Sequence, residues 1–134
     1  MAAEADAARG GGVSGNRELP LVNELLIEMR RLSALIDKGV VALRDAAVEH
    51  AIAEDEFENA KARAWLSATG TEGDKKAHTA LAVSKERRRA LMSKAMEKAA
   101  SYAVNARQSQ MSGTQSVARA VKADIDLNTF KVGG

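Results

Sequence analysis

The sequence predicts an all-α protein in which two long helices form an antiparallel, coiled-coil-like hairpin that assembles into a helical bundle. Hydrophobic residues make up 46% of the 134 positions and charged residues 28%, but aromatic residues only 3%. This composition is typical of long helices rather than of a sheet. Between Pro20 and Ala68 there is no further proline and only one glycine, Gly39. A chain of this length fits one domain.

Residues 1–18 contain four closely spaced glycines among alanines and charges, so we expect a disordered tail there. The first helix is predicted over residues 19–69. Pro20 suits its first turn, because the N–H group that proline lacks would have no partner at that position.

The segment 69–74 combines two glycines with threonine and aspartate, which predicts a turn between the helices. The second helix is predicted over 74–123, followed by a frayed end over 124–134. Ser84 is a candidate N-cap within this helix. The sequence leaves open whether the chain kinks there, with 74–83 as a short separate helix.

Steps of 100° per residue predict one apolar stripe on each helix, through which the hairpin would close. The stripe on the first helix comprises Leu21, Leu25, Met29, Leu32, Ile36, Leu43, Ala47, Phe57 and Trp65. The stripe on the second comprises Leu81, Met92, Ala95, Ala99, Tyr102, Ala106, Gly113, Val117 and Ala120. Large residues would thus face small ones, which allows the backbones to approach closely.

A second apolar line lies on the opposite side of the first helix. Ile27, Ala34, Val41 and Val48 recur every seven residues, and Ile52 extends the line. A two-helix hairpin has one internal seam, so this line would face water unless a partner covered it. It therefore predicts a homo-oligomer, most simply a dimer forming a four-helix bundle.

Several function classes find no support in the sequence. There is no cysteine, hence no disulfide or thiolate site, and no apolar run long enough to span a membrane. The first residues do not resemble a signal peptide, which indicates a cytoplasmic protein. His50 and Glu54 lie one helical turn apart, but two ligands are too few for a metal site. We therefore expect no enzyme activity, no cofactor, no metal and no small-molecule substrate.

Charge is unevenly distributed along the chain. Residues 1–70 carry 8 Lys/Arg and 12 Asp/Glu, whereas residues 71–134 carry 12 and 6. The candidate nucleic-acid-binding residues are Lys85, Arg87, Arg88, Arg89, Lys94, Lys98, Arg107 and Arg119. Such cations can neutralise phosphates. Alternatively, those at 85–89 pair across the turn with the acidic run 54–58. No base-stacking aromatic is evident, because Tyr102 falls on the predicted core stripe.

Two segments resemble a family of small helical proteins of tailed bacteriophages and prophages, especially those of actinobacteria. They are Ala60–Thr71, which reads AKARAWLSATGT, and Arg107–Val117, which reads RQSQMSGTQSV. The resemblance spans roughly residues 55–122. The residues of these segments have structural interpretations of their own: Trp65 would pack the helix end, Gly70 would adopt a left-handed or open turn, and Arg107 would point outward.

Members of this family are often encoded near genes for recombination or single-strand DNA handling. The resemblance therefore implies a non-enzymatic phage accessory protein of nucleic-acid metabolism in the host bacterial cytoplasm. Its basic helix would bind single-stranded DNA or a phage recombination protein. Two alternatives stay open: an adaptor or inhibitor that binds a host or phage protein, and a structural coiled coil of the virion.

Overall fold

The computed structural model describes the backbone of residues 14–133 and the side chains of residues 21–129. Three helices account for nearly all of this range: α1 (Ser14–Ser67), α2 (Glu72–Ala82) and α3 (Ser84–Gly133). Residues 14–133 contain no strand. Glu49 on α1 contacts Arg89 on α3, and His50 contacts Glu97. The protein is all-α, and its long helices pack as a helical hairpin, as predicted.

The chain divides into two structural units. The turn unit comprises residues 37–106, with the end of α1, all of α2 and the first half of α3. The terminal unit contains, within the described range, residues 14–36 and 107–133. In both units an α1 segment packs against an α3 segment.

The turn between α1 and α2 is built by Gly70 and Thr71. Gly70 has φ +106°, in the left-handed region that favours glycine. This agrees with the left-handed turn predicted for it. The Thr71 side chain accepts a hydrogen bond from the Asp74 N–H, and the Thr71 N–H donates to the Asp74 carboxylate. This capping box starts α2 at Glu72. Val83 separates α2 from α3, so α2 stands as the short separate helix that the sequence had left open.

The turn unit is closed by small residues. Most buried and half-buried positions of the two long helices follow one another at alternating steps of three and four residues, the spacing of a coiled-coil seam. The α1 positions of this series are Gly39, Leu43, Ala46, His50, Ala53, Phe57, Ala60 and Ala64. The opposite series begins at Val83, just before α3, and continues along α3 with Glu86, Ala90, Ser93, Glu97, Ala100 and Val104. A Cβ atom added to Gly39 would lie 3.0 Å from Val104 Cγ2. The helices therefore approach closely here.

The terminal unit has the same spacing but larger side chains. Its α1 positions are Val22, Leu25, Met29, Leu32 and Ile36, and its α3 positions are Arg107, Met111, Thr114, Ala118, Val121 and Ile125. Leu32 is 1% exposed and is the largest fully buried side chain of the described residues. Branched and unbranched aliphatic groups thus supply most of the apolar burial in this unit.

The predicted stripe on the second helix is wrong. Tyr102 is 70% exposed, Met92 and Val117 are also exposed, and a Cβ on Gly113 would meet nothing within 4 Å. Ala95, Ala99, Ala106 and Ala120, as well as Leu81 on α2, are likewise exposed. Ranking faces by hydrophobicity selected the wrong side, because the seam of α3 includes polar residues such as Glu86 and Glu97.

The predicted stripe on the first helix is largely confirmed. Seven of its nine residues are buried or half-buried, and only Leu21 and Trp65 are exposed. Large apolar residues mark this face of α1 from Leu25 to Leu43 and again at Phe57, so hydrophobic periodicity identified it correctly even where small residues lie between them.

Both predicted ends of the hairpin differ from the structure. Helix α1 begins at Ser14, so residues 14–18 of the predicted tail are helical and Pro20 lies beyond the first turn; residues 1–13 lie outside the described range. Helix α3 continues to Gly133 instead of fraying after 123. The reason is that Val121 and Ile125 prolong the seam, and Ile125 lines an apolar cavity with Val22 and Leu25.

No helix within the described range is long and apolar enough to cross a membrane.

Candidate functional site

The basic residues singled out from the sequence are mostly exposed. Lys85, Arg87, Arg88, Arg89, Lys94 and Lys98 lie in the turn unit, and all six are exposed. In the terminal unit Arg119 is exposed. Arg107 is half-buried on the seam rather than outward, and its Nη1 donates to Gln110 Oε1 at 3.3 Å.

Arg89 is engaged by carboxylates of α1. Its Nη2 donates to Glu49 Oε1 at 2.8 Å, and its Nη1 donates to Glu56 Oε2 at 2.5 Å. The hydrogen bond to Glu49, together with the charges of both carboxylates, raises the pKa of Arg89. Among the candidates at 85–89, Arg89 thus forms the cross-hairpin pairing offered as the alternative to phosphate binding.

The other candidates on the first half of α3 are not tied to carboxylates. Arg87, Lys94 and Lys98 form no ion pair with any described residue. At 100° per residue they fall within about 40° of one another on α3, over roughly 17 Å of helix. We call these three residues the basic face. Its exposed cations are available to an anionic partner.

A cavity of about 410 Å³ opens beside the basic face, between the end of α1, α2 and the start of α3. Its lining includes Phe57, Lys61, Trp65, Lys76, Thr79 and Arg87, with Ala80 and Val83 completing it. Three of the eight lining residues are cations and none is a carboxylate. We call this feature the aromatic–basic cavity.

The aromatic side chains of this cavity already contact cations. Lys61 Nζ lies 5.9 Å from the centre of the Phe57 ring, and Lys75 Nζ lies 5.6 Å from the Trp65 ring. The Oγ1 atom of Thr79 is buried without a hydrogen-bond partner. A buried hydroxyl normally has a partner, so this atom is an unsatisfied polar group, but it is closed to solvent and so does not face the cavity.

Sequence reasoning missed this cavity, because it placed Trp65 in a packing role and looked for base stacking only at Tyr102. Phe57, Lys61 and Trp65 are spaced four residues apart on α1, which puts them on one helical face. That spacing is the sequence signal. Only the path of the chain through α2 brings Lys76 and Arg87 to the same place.

The apolar line proposed for oligomerisation is exposed. Ile27 is 63% and Val48 54% exposed, and Ala34, Val41 and Ile52 are exposed as well. These residues occupy positions of α1 away from the seam. No described segment of the chain covers them.

His50 lies on the α1 seam between two carboxylates. Its Nδ1 lies 2.6 Å from Glu97 Oε2, and its Nε2 lies 3.5 Å from Glu54 Oε2. The described residues hold no group of three or more His, Cys, Asp or Glu that could bind a metal ion. In the structure His50 therefore connects α1 and α3 through Glu97.

Comparisons with known proteins returned no matching family model, no matching curated protein and no matching solved structure.

Proposed function

We propose that this protein is a non-enzymatic accessory protein of nucleic-acid metabolism that binds single-stranded DNA through the basic face of α3. The observation that carries the proposal is that Arg87, Lys94 and Lys98 are exposed, share one side of the helix and form no ion pair with a described residue. Protein affinity for nucleic acid comes largely from cations that neutralise phosphates. The resemblance to phage proteins favours the same role, with a phage recombination protein as a further partner.

The proposal predicts a specific dependence on salt. If three cations neutralise three phosphates of a single strand, the logarithm of the binding constant falls with the logarithm of salt concentration at a slope of about −2. Between 50 and 200 mM salt the affinity would then fall about 20-fold. Fluorescence anisotropy of a labelled oligothymidylate measures this slope directly.

Neutralising the basic face provides the decisive variant. We expect the triple substitution Arg87→Gln, Lys94→Gln and Lys98→Gln to weaken binding and to bring the salt slope close to zero. The control variant removes the same charge from exposed positions of α1: Arg30→Gln, Lys38→Gln and Arg44→Gln. Equal losses in the two variants, or no binding by the native protein at 50 mM salt, would contradict the proposal.

We also propose that two copies associate through the apolar line of α1, centred on Ile27, Val41 and Val48. Of the described side chains only six apolar and two polar ones are buried, which is little burial for a stable isolated fold. Covering the exposed line in a second copy would remove further apolar area from water. It would also present two basic faces together, which raises apparent affinity for a long strand.

The oligomeric state tests this part of the proposal. Multi-angle light scattering is expected to give twice the chain mass of 14.2 kDa at micromolar concentration. The pair Val41→Lys and Val48→Lys should yield monomers, whereas Leu66→Lys, also at an exposed apolar position, should not. A native monomer with an intact fold would instead favour the adaptor alternative, in which a helix of another protein covers this line.

A further inference from the structure

The aromatic–basic cavity has the chemistry of a site for one unstacked nucleotide. We infer that it receives a base of the single strand beside Trp65 and Phe57, while the adjoining phosphate meets Lys61, Lys76 or Arg87. This inference rests on the proposed function, since it names the part of the ligand that enters the turn unit. It adds a base-stacking site to the basic face, which was proposed as a binding surface on the basis of charge alone.

The size and lining of the cavity fit such a ligand. Its volume of about 410 Å³ lies within the range of small-molecule sites. Aromatic faces supply stacking for any base, and single-strand-binding proteins combine such faces with a cationic groove. Three lining residues are cations and none is an anion, and of the three only Lys76 pairs with a described carboxylate, that of Glu72 at 3.7 Å. The cavity therefore favours a ligand that joins an aromatic ring to a negative charge.

Arg87 connects the cavity to the basic face. It lines the cavity and also stands at the start of the row that continues to Lys94 and Lys98. A strand whose phosphates follow the basic face would therefore reach the cavity at its Arg87 end. This continuity favours a nucleotide within a strand over an unrelated aromatic acid.

Thr79 contributes no accessible hydroxyl to the cavity, because its Oγ1 is closed to solvent. A bound base would therefore be held by the aromatic rings and the cations. Lys61, now over the Phe57 ring, would move to the phosphate when a base occupies the cavity.

Trp65 is the only tryptophan in the chain, so it reports on its own site. The full-length protein would be titrated with oligothymidylate at 50 mM salt while Trp65 emission and the anisotropy of a labelled oligonucleotide are both recorded. We expect Trp65 emission to be quenched over the concentration range in which anisotropy rises. Thymidine monophosphate at millimolar concentration should quench Trp65 as well.

Matched variants separate stacking from charge and from folding. Trp65→Leu is expected to weaken oligonucleotide binding about 5- to 150-fold, the effect of losing one stacked base. Leu127→Ala removes an exposed apolar side chain far along α3 from the cavity and the basic face and should leave binding unchanged. Arg87→Gln should weaken binding more than Arg88→Gln, which removes the same charge outside the cavity. Circular dichroism would establish that each variant folds.

The outcomes distinguish this inference from the proposed function. Quenching together with a selective loss in Trp65→Leu supports both. Anisotropy changes without quenching, with Trp65→Leu binding as well as Leu127→Ala, would overturn the stacking site and leave the basic face as the binding surface. Absence of any binding at 50 mM salt would overturn both.

Discussion

The turn unit and the terminal unit use the same seam spacing but hold their helices together differently. In the terminal unit the α1 side of the seam is aliphatic throughout, from Val22 to Ile36. In the turn unit alanines and Gly39 line much of the seam, and charged groups link the helices through Arg89 and His50. Burial of large side chains therefore stabilises one unit, whereas close approach and polar pairing characterise the other.

The two units also differ in the candidate binding surfaces that they carry. Small seam residues bury little apolar area, and exposed ion pairs contribute little stability. The turn unit nevertheless contains α2, both cavity aromatics and the basic face. On the proposal above, the turn unit is the part that binds single-stranded DNA, and the terminal unit is stabilised chiefly by apolar packing.

The largest expected effect tests the aliphatic seam of the terminal unit. Leu32→Ala should lower the free energy of unfolding by about 3 kcal/mol, because it removes a fully buried side chain and leaves a cavity. The control is Leu66→Ala in the turn unit, at a position 84% exposed, which should change stability by less than about 0.5 kcal/mol. Urea unfolding followed by circular dichroism, at one fixed protein concentration, measures both. A cost below about 1 kcal/mol for Leu32→Ala would contradict the contrast between the units.

A pair of glycines tests close approach with a smaller effect. Gly113 lies within α3 in the terminal unit with open space around it, so Gly113→Ala should stabilise the protein by up to about 1 kcal/mol through helix propensity. Gly39→Ala gains the same propensity but brings a Cβ to 3.0 Å from Val104 Cγ2. We expect this close contact to offset the gain in helix propensity. Thermal unfolding should therefore give a higher midpoint temperature for Gly113→Ala than for Gly39→Ala. Equal stabilisation by both would show that the turn unit does not depend on close approach at Gly39.

The smallest effect concerns an exposed ion pair of the terminal unit. Arg31 donates two hydrogen bonds to Glu28, and these hold the pKa of the Glu28 carboxyl below its ordinary value. Because the folded-state pKa is depressed, the pair stabilises the fold above the ordinary pKa of glutamate. That contribution is lost as pH falls through the depressed value. NMR titration of the Glu28 carboxyl should show its pKa rising in Arg31→Gln.

The matched control is Arg30→Gln, which removes the same charge one residue away. Its side chain forms none of the hydrogen bonds to Glu28. We expect the pKa of Glu28 to be nearly unchanged in that variant. An equal rise in both variants would mean that general charge, rather than the specific pair, lowers the Glu28 pKa.

The sequence correctly predicted the features that depend on residues close together along the chain. The all-α class, the glycine turn at Gly70 and the core face of α1 follow from composition, turn residues and aliphatic periodicity. Prediction failed on α3, whose packed face includes Glu86, Ser93 and Glu97. Hydrophobic ranking cannot select such a face, on which Glu97 pairs with His50 of α1, Ser93 Oγ donates to Ala90 O within α3 and Glu86 Oε2 is buried without a hydrogen-bond partner.

The candidate site also combines features that the sequence predicts with features that it does not. The placement of Arg87, Lys94 and Lys98 on one side of α3 follows from their spacing in the sequence. Their exposure does not, because it depends on which side of α3 faces α1. The engagement of Arg89 by two carboxylates and the half-burial of Arg107 do not, since each depends on which α1 residues lie opposite. The cavity was missed for a related reason, because Trp65 and Arg87 belong to different helices.

The amino-acid sequence by itself determined that this chain forms long helices, where they turn and which side of α1 is apolar. These properties depend on propensities and contacts within a few residues along the chain. The tertiary structure alone decided which side of α3 faces α1 and which cations remain exposed. It also decided that two aromatic rings meet three cations around one cavity, because packing between helices joins residues that are distant in sequence.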